Sequence, residues 1–135
     1  MSLLCLKEMR MPQTPRPIFL NPMKLKMPVG ALTSIGHRIT GIFLVATVPV
    51  SVYLLDLSLR SEPAFAEVNA VFEHLAVKGV VVLLIWTLSH HLLAGLRHLL
   101  TDFNLGSTLH TARRSAWCVN LGAIAVALLA AEVLL

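Results

Sequence analysis

The sequence predicts an all-α membrane protein with three transmembrane helices behind an extended N-terminal cytoplasmic segment. Of its 135 residues, 56% are hydrophobic and only 13% are charged, whereas soluble domains carry about 25% charged residues. Asp, Glu, Lys and Arg are absent from Ile39 to Tyr53, from Gly79 to Leu96 and from Ser115 to Ala131. Each gap approaches the roughly 20 apolar residues that span a bilayer. This composition argues against disorder, nucleic-acid binding and a secreted disulfide scaffold.

Residues 1–30 form a proline-rich segment of their own. Prolines lie at positions 12, 15, 17, 22 and 28, and each removes a backbone donor and interrupts helix formation. We therefore expect an extended cytoplasmic segment that suits docking onto a partner. Residues 31–135 are expected to form a single transmembrane domain, with spans at about 31–57, 77–100 and 115–135.

Two features modify this three-span pattern. Pro49 falls inside the first span, where a proline is tolerated if neighbouring groups satisfy the freed carbonyl. Between the first two spans, apolar residues recur at helical spacing over residues 62–75, against Glu67 and Glu73. This pattern predicts a short helix lying at the outer membrane surface.

The basic residues predict the orientation in the membrane. Six precede or begin the first span: Lys7, Arg10, Arg16, Lys24, Lys26 and Arg38. Three more flank the connection between the second and third spans: Arg97, Arg113 and Arg114. The positive-inside rule makes both regions cytoplasmic. The first connection and the C-terminus are then expected on the periplasmic side, and this topology accounts for the net charge of +4.

A first polar group lies at the start of the first span. Ser34, His37 and Arg38 are spaced i, i+3 and i+4, so we expect one face of the helix to carry all three. A hydroxyl, an imidazole and a guanidinium can hydrogen-bond a quinone carbonyl or pair with a carboxylate or a haem propionate. The alternative is a snorkelling arginine beside a capping serine at a helix entrance.

A second polar group follows one stripe of the second span. His91, Gly95, His98 and Asp102 are spaced i, i+4, i+7 and i+11. An imidazole is a common axial ligand of haem iron, and a glycine one turn away leaves room for a porphyrin. Arg97 and His98 lie roughly 9 and 10 Å further along the helix, within reach of propionates. Hydrogen bonds to a neighbouring helix and a proton path remain alternatives for such a stripe.

These residues belong to two longer motifs. The first comprises Arg16, Pro17, Ile18, Val29, Ser34, His37, Arg38 and Thr40. The second comprises His91, Gly95, Leu96, Arg97, His98, Leu99 and Asp102. In spacing and order the sequence resembles the cytochrome b membrane-anchor family of succinate dehydrogenase, respiratory complex II. Pro22, Thr101 and Asn104 depart from the family's usual residues.

The resemblance implies roles for individual residues. His91 is similar to the axial ligand of the haem b iron, with the second histidine supplied by a small partner anchor, so that one haem-containing bundle is shared. Ser34 and Arg38 match positions that line the ubiquinone pocket. His37, Arg38 and His98 match positions near the haem propionates. Asp102 is expected to help deliver protons.

The resemblance also implies a function and partners. The chain would anchor a flavoprotein subunit and an iron–sulfur subunit to the bacterial inner membrane and, with the second anchor, pass electrons to ubiquinone. The dicarboxylate chemistry would belong to the partners. Three alternatives stay open: a quinol-oxidising fumarate reductase anchor, a haem-free structural anchor in which His91 only bonds a neighbour, and a small ion or proton transporter component.

Overall fold

The computed structural model describes residues 28–135, which form four helices. They are α1 (Val29–Arg60), α2 (Glu62–Phe72), α3 (Leu75–Asp102) and α4 (Leu109–Leu134). Helices α1, α3 and α4 are each long and apolar enough to cross a membrane, which confirms the predicted fold. Most of the proline-rich segment predicted for residues 1–30 lies outside the described residues.

The transmembrane helices exceed the predicted apolar spans because their polar ends continue the helix beyond the hydrocarbon core. The clearest difference is α4, which begins at Leu109 instead of residue 115 and so includes Arg113 and Arg114. Helix α1 continues through Pro49 without interruption. A membrane helix can therefore be longer than the charge-free window that reveals it.

The short surface helix predicted between the first two spans is α2, which ends at Phe72 rather than at residue 75. Its start is set by Ser61, an extended residue whose Oγ accepts a hydrogen bond from the Ala64 N–H at 3.3 Å. This is an N-cap, which satisfies a donor that the first turn leaves free. Val68 is buried, and α2 packs mainly against α1.

The turn between α3 and α4 requires two residues with positive φ. Asn104 has φ 59° and Gly106 has φ 77°, values that asparagine and glycine adopt more readily than other residues. Thr108 then caps α4 by accepting a hydrogen bond from the Thr111 N–H at 3.4 Å. The N-terminus of α1 lies at this same end of the bundle, which we call the turn end; α2 lies at the other.

Helix α3 is central and packs against both α1 and α4. The buried apolar residues of α3 and α4 are small: Ala94, Ala116, Val119 and Ala123. Small side chains let membrane helices approach closely, and polar side chains then bond across the interface. Large apolar residues are mostly exposed on the outside of the bundle. The polar contacts between helices are therefore the distinctive part of the interior.

Candidate functional site: a histidine cluster between α1 and α3

Three imidazoles meet where α1 crosses α3 near the turn end. The rings of His37 and His91 are stacked, with centroids 4.1 Å apart and planes 16° apart. The ring of His98 is tilted against His37 at 5.3 Å. We call these three residues the histidine cluster. The structure thus brings together three of the residues that the sequence marked as candidates for cofactor binding.

The His91 ring is oriented by groups of α1. Its Nδ1 lies 3.0 Å from the backbone carbonyl oxygen of His37 and 3.3 Å from Thr40 Oγ1. A carbonyl oxygen only accepts, so Nδ1 carries the proton and Nε2 keeps its lone pair. Thr40 is buried, and its hydroxyl donates to the Gly36 carbonyl at 2.9 Å, which leaves its oxygen free to accept from His91. Histidines that bind metals are commonly oriented in this way, through a backbone carbonyl on the other nitrogen.

Two glycines make room for the cluster. A Cβ atom on Gly41 would lie 2.9 Å from His91 Cε1, and one on Gly95 would lie 3.2 Å from His37 Nε2. Gly41 therefore lets the His91 ring lie against the backbone of α1. The space beside Gly95, which the sequence suggested for a porphyrin, faces the His37 imidazole of the same chain. Because Gly95 has no side chain, the His37 ring of α1 can approach the backbone of α3 closely.

The candidate quinone residues lie beside the cluster, on α1. Ser34 is half-buried and Arg38 is exposed. His37 turns toward α3 while Arg38 faces outward, so the three candidates of this helix do not share a single direction. Within residues 28–135, Arg38 makes no ion pair or side-chain hydrogen bond.

Two other candidates lie apart from the cluster. Arg97 turns toward α4, where its Nε donates to Ser115 Oγ at 3.1 Å and its Nη2 to the Ala112 carbonyl at 3.3 Å. Its guanidinium thus fastens α3 to α4 and is directed away from the histidine cluster. Asp102 is exposed at the end of α3, with no ion pair among the described residues.

Sequence reasoning missed the residues that orient the cluster. Thr40 and Gly41 were not assigned a role, and neither were Thr33, His90 and Asn120, which form a second, partly buried hydrogen-bond network between the helices. Thr33 and Thr40 are seven positions apart on one face of α1. That repeat of hydroxyls in an apolar span was the available signal, since polar side chains in a membrane helix tend to face its neighbours.

Two cavities lie away from the cluster. One, of about 610 Å³, is lined mainly by apolar residues of α1, α2 and α3, together with Thr47, Ser51 and Ser58, at the end opposite the turn. The other, of about 500 Å³, lies between α3 and α4 beside Arg97. Neither is lined by a histidine.

The fold and the cluster together define a class: a small multi-pass membrane protein with a half-buried group of imidazoles between its helices. Residues 12–130 match the family of succinate dehydrogenase/fumarate reductase transmembrane subunits, and the chain belongs to this family. The resemblance seen in the two sequence motifs is confirmed.

Two curated relatives support this membership. The chain is 34% identical over 116 residues to the succinate dehydrogenase cytochrome b556 subunit of Paracoccus denitrificans, covering 84% of this chain and 88% of the relative. It is 33% identical over 108 residues to the subunit of the same name from Coxiella burnetii, covering 77% of this chain and 84% of the relative. The similarity therefore extends over most of both proteins.

Proposed function

We propose that this chain is the cytochrome b membrane-anchor subunit of succinate dehydrogenase, which binds haem b and helps to form the site of ubiquinone reduction. One observation carries the proposal: His91 holds its Nδ1 proton against the His37 carbonyl at 3.0 Å. Its other nitrogen is thereby kept as a ligand. The succinate dehydrogenase relatives, both cytochrome b556 subunits, favour this function over a quinol-oxidising fumarate reductase anchor.

The residues present fit a b-type haem. His91 is proposed as an axial ligand of the iron, because its Nε2 makes no hydrogen bond within residues 28–135. A histidine of a second small anchor protein would supply the other ligand. His37, Arg38 and His98 are proposed to bind the propionates, since imidazoles and guanidinium groups donate hydrogen bonds to carboxylates. The haem, when bound, supplies a one-electron redox centre in the membrane.

The quinone site is proposed beside Ser34 and Arg38. In the overall reaction, two electrons and two protons convert ubiquinone to ubiquinol. The Arg38 guanidinium and the Ser34 hydroxyl would donate hydrogen bonds to a quinone carbonyl oxygen, where negative charge develops during reduction. Arg38 is exposed and free of partners within the described residues, which supports this role. Asp102, exposed at the same end of α3, is proposed to deliver protons from the aqueous side.

The charges at the two ends support an orientation. The turn end carries arginines at positions 38, 97, 113 and 114, while the other end carries Asp56, Glu62, Glu67 and Glu73 against Arg60 and Lys78. By the positive-inside rule the turn end would face the cytoplasm, and the N-terminus would lie there with it. The C-terminus would be periplasmic. The quinone site would then be within reach of a flavoprotein and an iron–sulfur protein on the cytoplasmic side.

The test is a comparison of His91→Ala with His110→Ala in the assembled complex. His91→Ala should remove or severely perturb the b-haem spectrum while succinate-dependent dye reduction by the flavoprotein continues. His110 is an exposed histidine of the first turn of α4, and His110→Ala should leave the spectrum unchanged. A normal haem spectrum in His91→Ala would contradict the proposed ligand and favour the haem-free structural anchor.

A further inference from the structure

The two consecutive histidines of α3 have different partners. His91 faces the His37 carbonyl, whereas His90 is 5% exposed and places its Nε2 3.1 Å from Asn120 Oδ1 on α4. The His90 ring also lies against α1, because a Cβ atom on Gly36 would be 2.8 Å from His90 Cε1. His90 therefore contacts both neighbouring helices at once.

The hydrogen bonds of this network run in one direction. Asn120 Nδ2 donates to Thr33 Oγ1 at 3.1 Å, and the Thr33 hydroxyl donates to the Val29 carbonyl at 3.0 Å. The Asn120 Oδ1 must then accept, so His90 carries its proton on Nε2. One side chain from each transmembrane helix takes part: Thr33 from α1, His90 from α3 and Asn120 from α4.

The same geometry leaves His90 Nδ1 as an acceptor that is buried and has no partner within residues 28–135. A buried acceptor without a hydrogen bond destabilises a protein, and an apolar ring of similar size would avoid that cost. The imidazole is therefore poorly explained by stability alone. The imidazole provides a directional hydrogen bond, which fixes the relative orientation of the three helices.

We propose that His90, Asn120 and Thr33 are positioning residues that set the rotation of α3 against α1 and thereby hold the His91 ring in its ligating orientation. Consecutive side chains on a helix diverge by about 100°. His90 lies against Gly36, and His91 lies against Gly41, five residues further along α1. A rotation of α3 that moves one ring away from its glycine must move the other ring as well.

This inference rests on the proposed haem function, and its test uses the complete membrane complex. The readout is the largest g value in the electron paramagnetic resonance spectrum of the ferric haem, which depends on the orientation of the axial imidazoles. In Asn120→Leu and in Thr33→Val, we expect the haem to remain bound with a shifted or split g value. Thr33→Ser keeps the hydroxyl and should retain the wild-type signal.

Ser115→Ala is the matched control. It removes a polar contact between α3 and α4, the bond from Arg97 at 3.1 Å, without touching the His90 network, so the g value should stay as in the wild type. If Asn120→Leu does not assemble, the Thr33→Val and Thr33→Ser pair decides, because both stay close to the native side-chain volume.

The possible failures are distinguishable. Wild-type g values in both Asn120→Leu and Thr33→Val would overturn the positioning role alone. A shift in Ser115→Ala equal to that in Asn120→Leu would also overturn it, because any loss of α3–α4 contact would then suffice. A wild-type complex without haem would overturn the proposed function, and the positioning role with it.

Discussion

The two ends of the interface between α1 and α3 are built differently. At the turn end, Gly36 and Gly41 bring the backbone of α1 against the rings of His90 and His91, and hydrogen bonds cross the interface. At the other end, an apolar cavity of about 610 Å³ separates the same two helices beside α2. Gly79, an exposed glycine of α3 near that end, faces open space: a Cβ atom there would meet no other part of the described structure within 4 Å.

This difference shows where the geometry of the bundle is specified. Apolar side chains in a membrane pack against one another or against lipid with little preference, so the end beside α2 tolerates a loose interface. Imidazoles and carbonyls bond only at defined distances and angles. The turn end is therefore the part of the molecule where small changes in shape should alter function.

The largest effect is expected from Arg38→Ala, with Arg60→Ala, toward the other end of α1, as its control. Arg38→Ala should lower ubiquinone reduction on the order of 100-fold, the usual cost of removing one donor from a developing negative charge, while the haem stays bound. Arg60 is paired with Asp56 beyond the cluster, and Arg60→Ala should leave turnover unchanged. Succinate–ubiquinone turnover and the haem spectrum, measured on the same membranes, check this. Equal turnover in the two variants would remove Arg38 from the quinone site.

A smaller effect is expected from the glycines. Gly41→Ala introduces a Cβ that would lie 2.9 Å from His91 Cε1, so the ring must leave the position in which its Nδ1 lies 3.0 Å from the His37 carbonyl oxygen. Loss of such an orienting contact typically weakens metal binding about 10-fold or more, and the haem content of the purified complex should fall accordingly. Gly79→Ala meets open space and should retain full haem. Similar haem loss in both variants would mean that haem binding is no more sensitive to added side-chain volume at the turn end than at the other end.

The smallest effect should follow from filling the cavity beside α2. Ala76 lines that cavity, and Ala76→Leu adds apolar volume without displacing a polar contact. Filling such a space commonly raises stability by about 0.5–2 kcal/mol, so we expect an unchanged haem spectrum and an unchanged or slightly higher Tm of the complex. A shifted haem spectrum in this variant would show that the two ends are mechanically coupled.

The fold was largely predictable because each transmembrane helix is revealed by its own composition. Three charge-free windows located α1, α3 and α4, and the helical spacing of apolar residues over residues 62–75 located α2. The residues at which the helices begin and end were harder to predict. Helix α4 starts at Leu109 within a polar stretch, where neither hydropathy nor charge distinguishes a helix from a loop.

The site was only partly predictable because it depends on how two helices rotate against each other. His37, His91 and His98 could be chosen from their types and spacing, but a carbonyl that orients His91 has no signature in the sequence. Arg97 shows the same dependence on direction. Six positions after His91, it is turned by about 240° on the helix, and its guanidinium bonds Ser115 and Ala112 of α4, contacts that its rise along the axis alone does not reveal.

The most direct test of the central claim is an optical difference spectrum, succinate-reduced minus oxidised, of the complex purified through a tag on this chain. We expect a b-type α-band to appear on addition of succinate, in a preparation that contains the flavoprotein. Such a band would place a haem in electronic contact with a succinate-oxidising partner. A co-purified flavoprotein without any b-type band would contradict haem binding, and the absence of a flavoprotein would contradict the anchoring function itself.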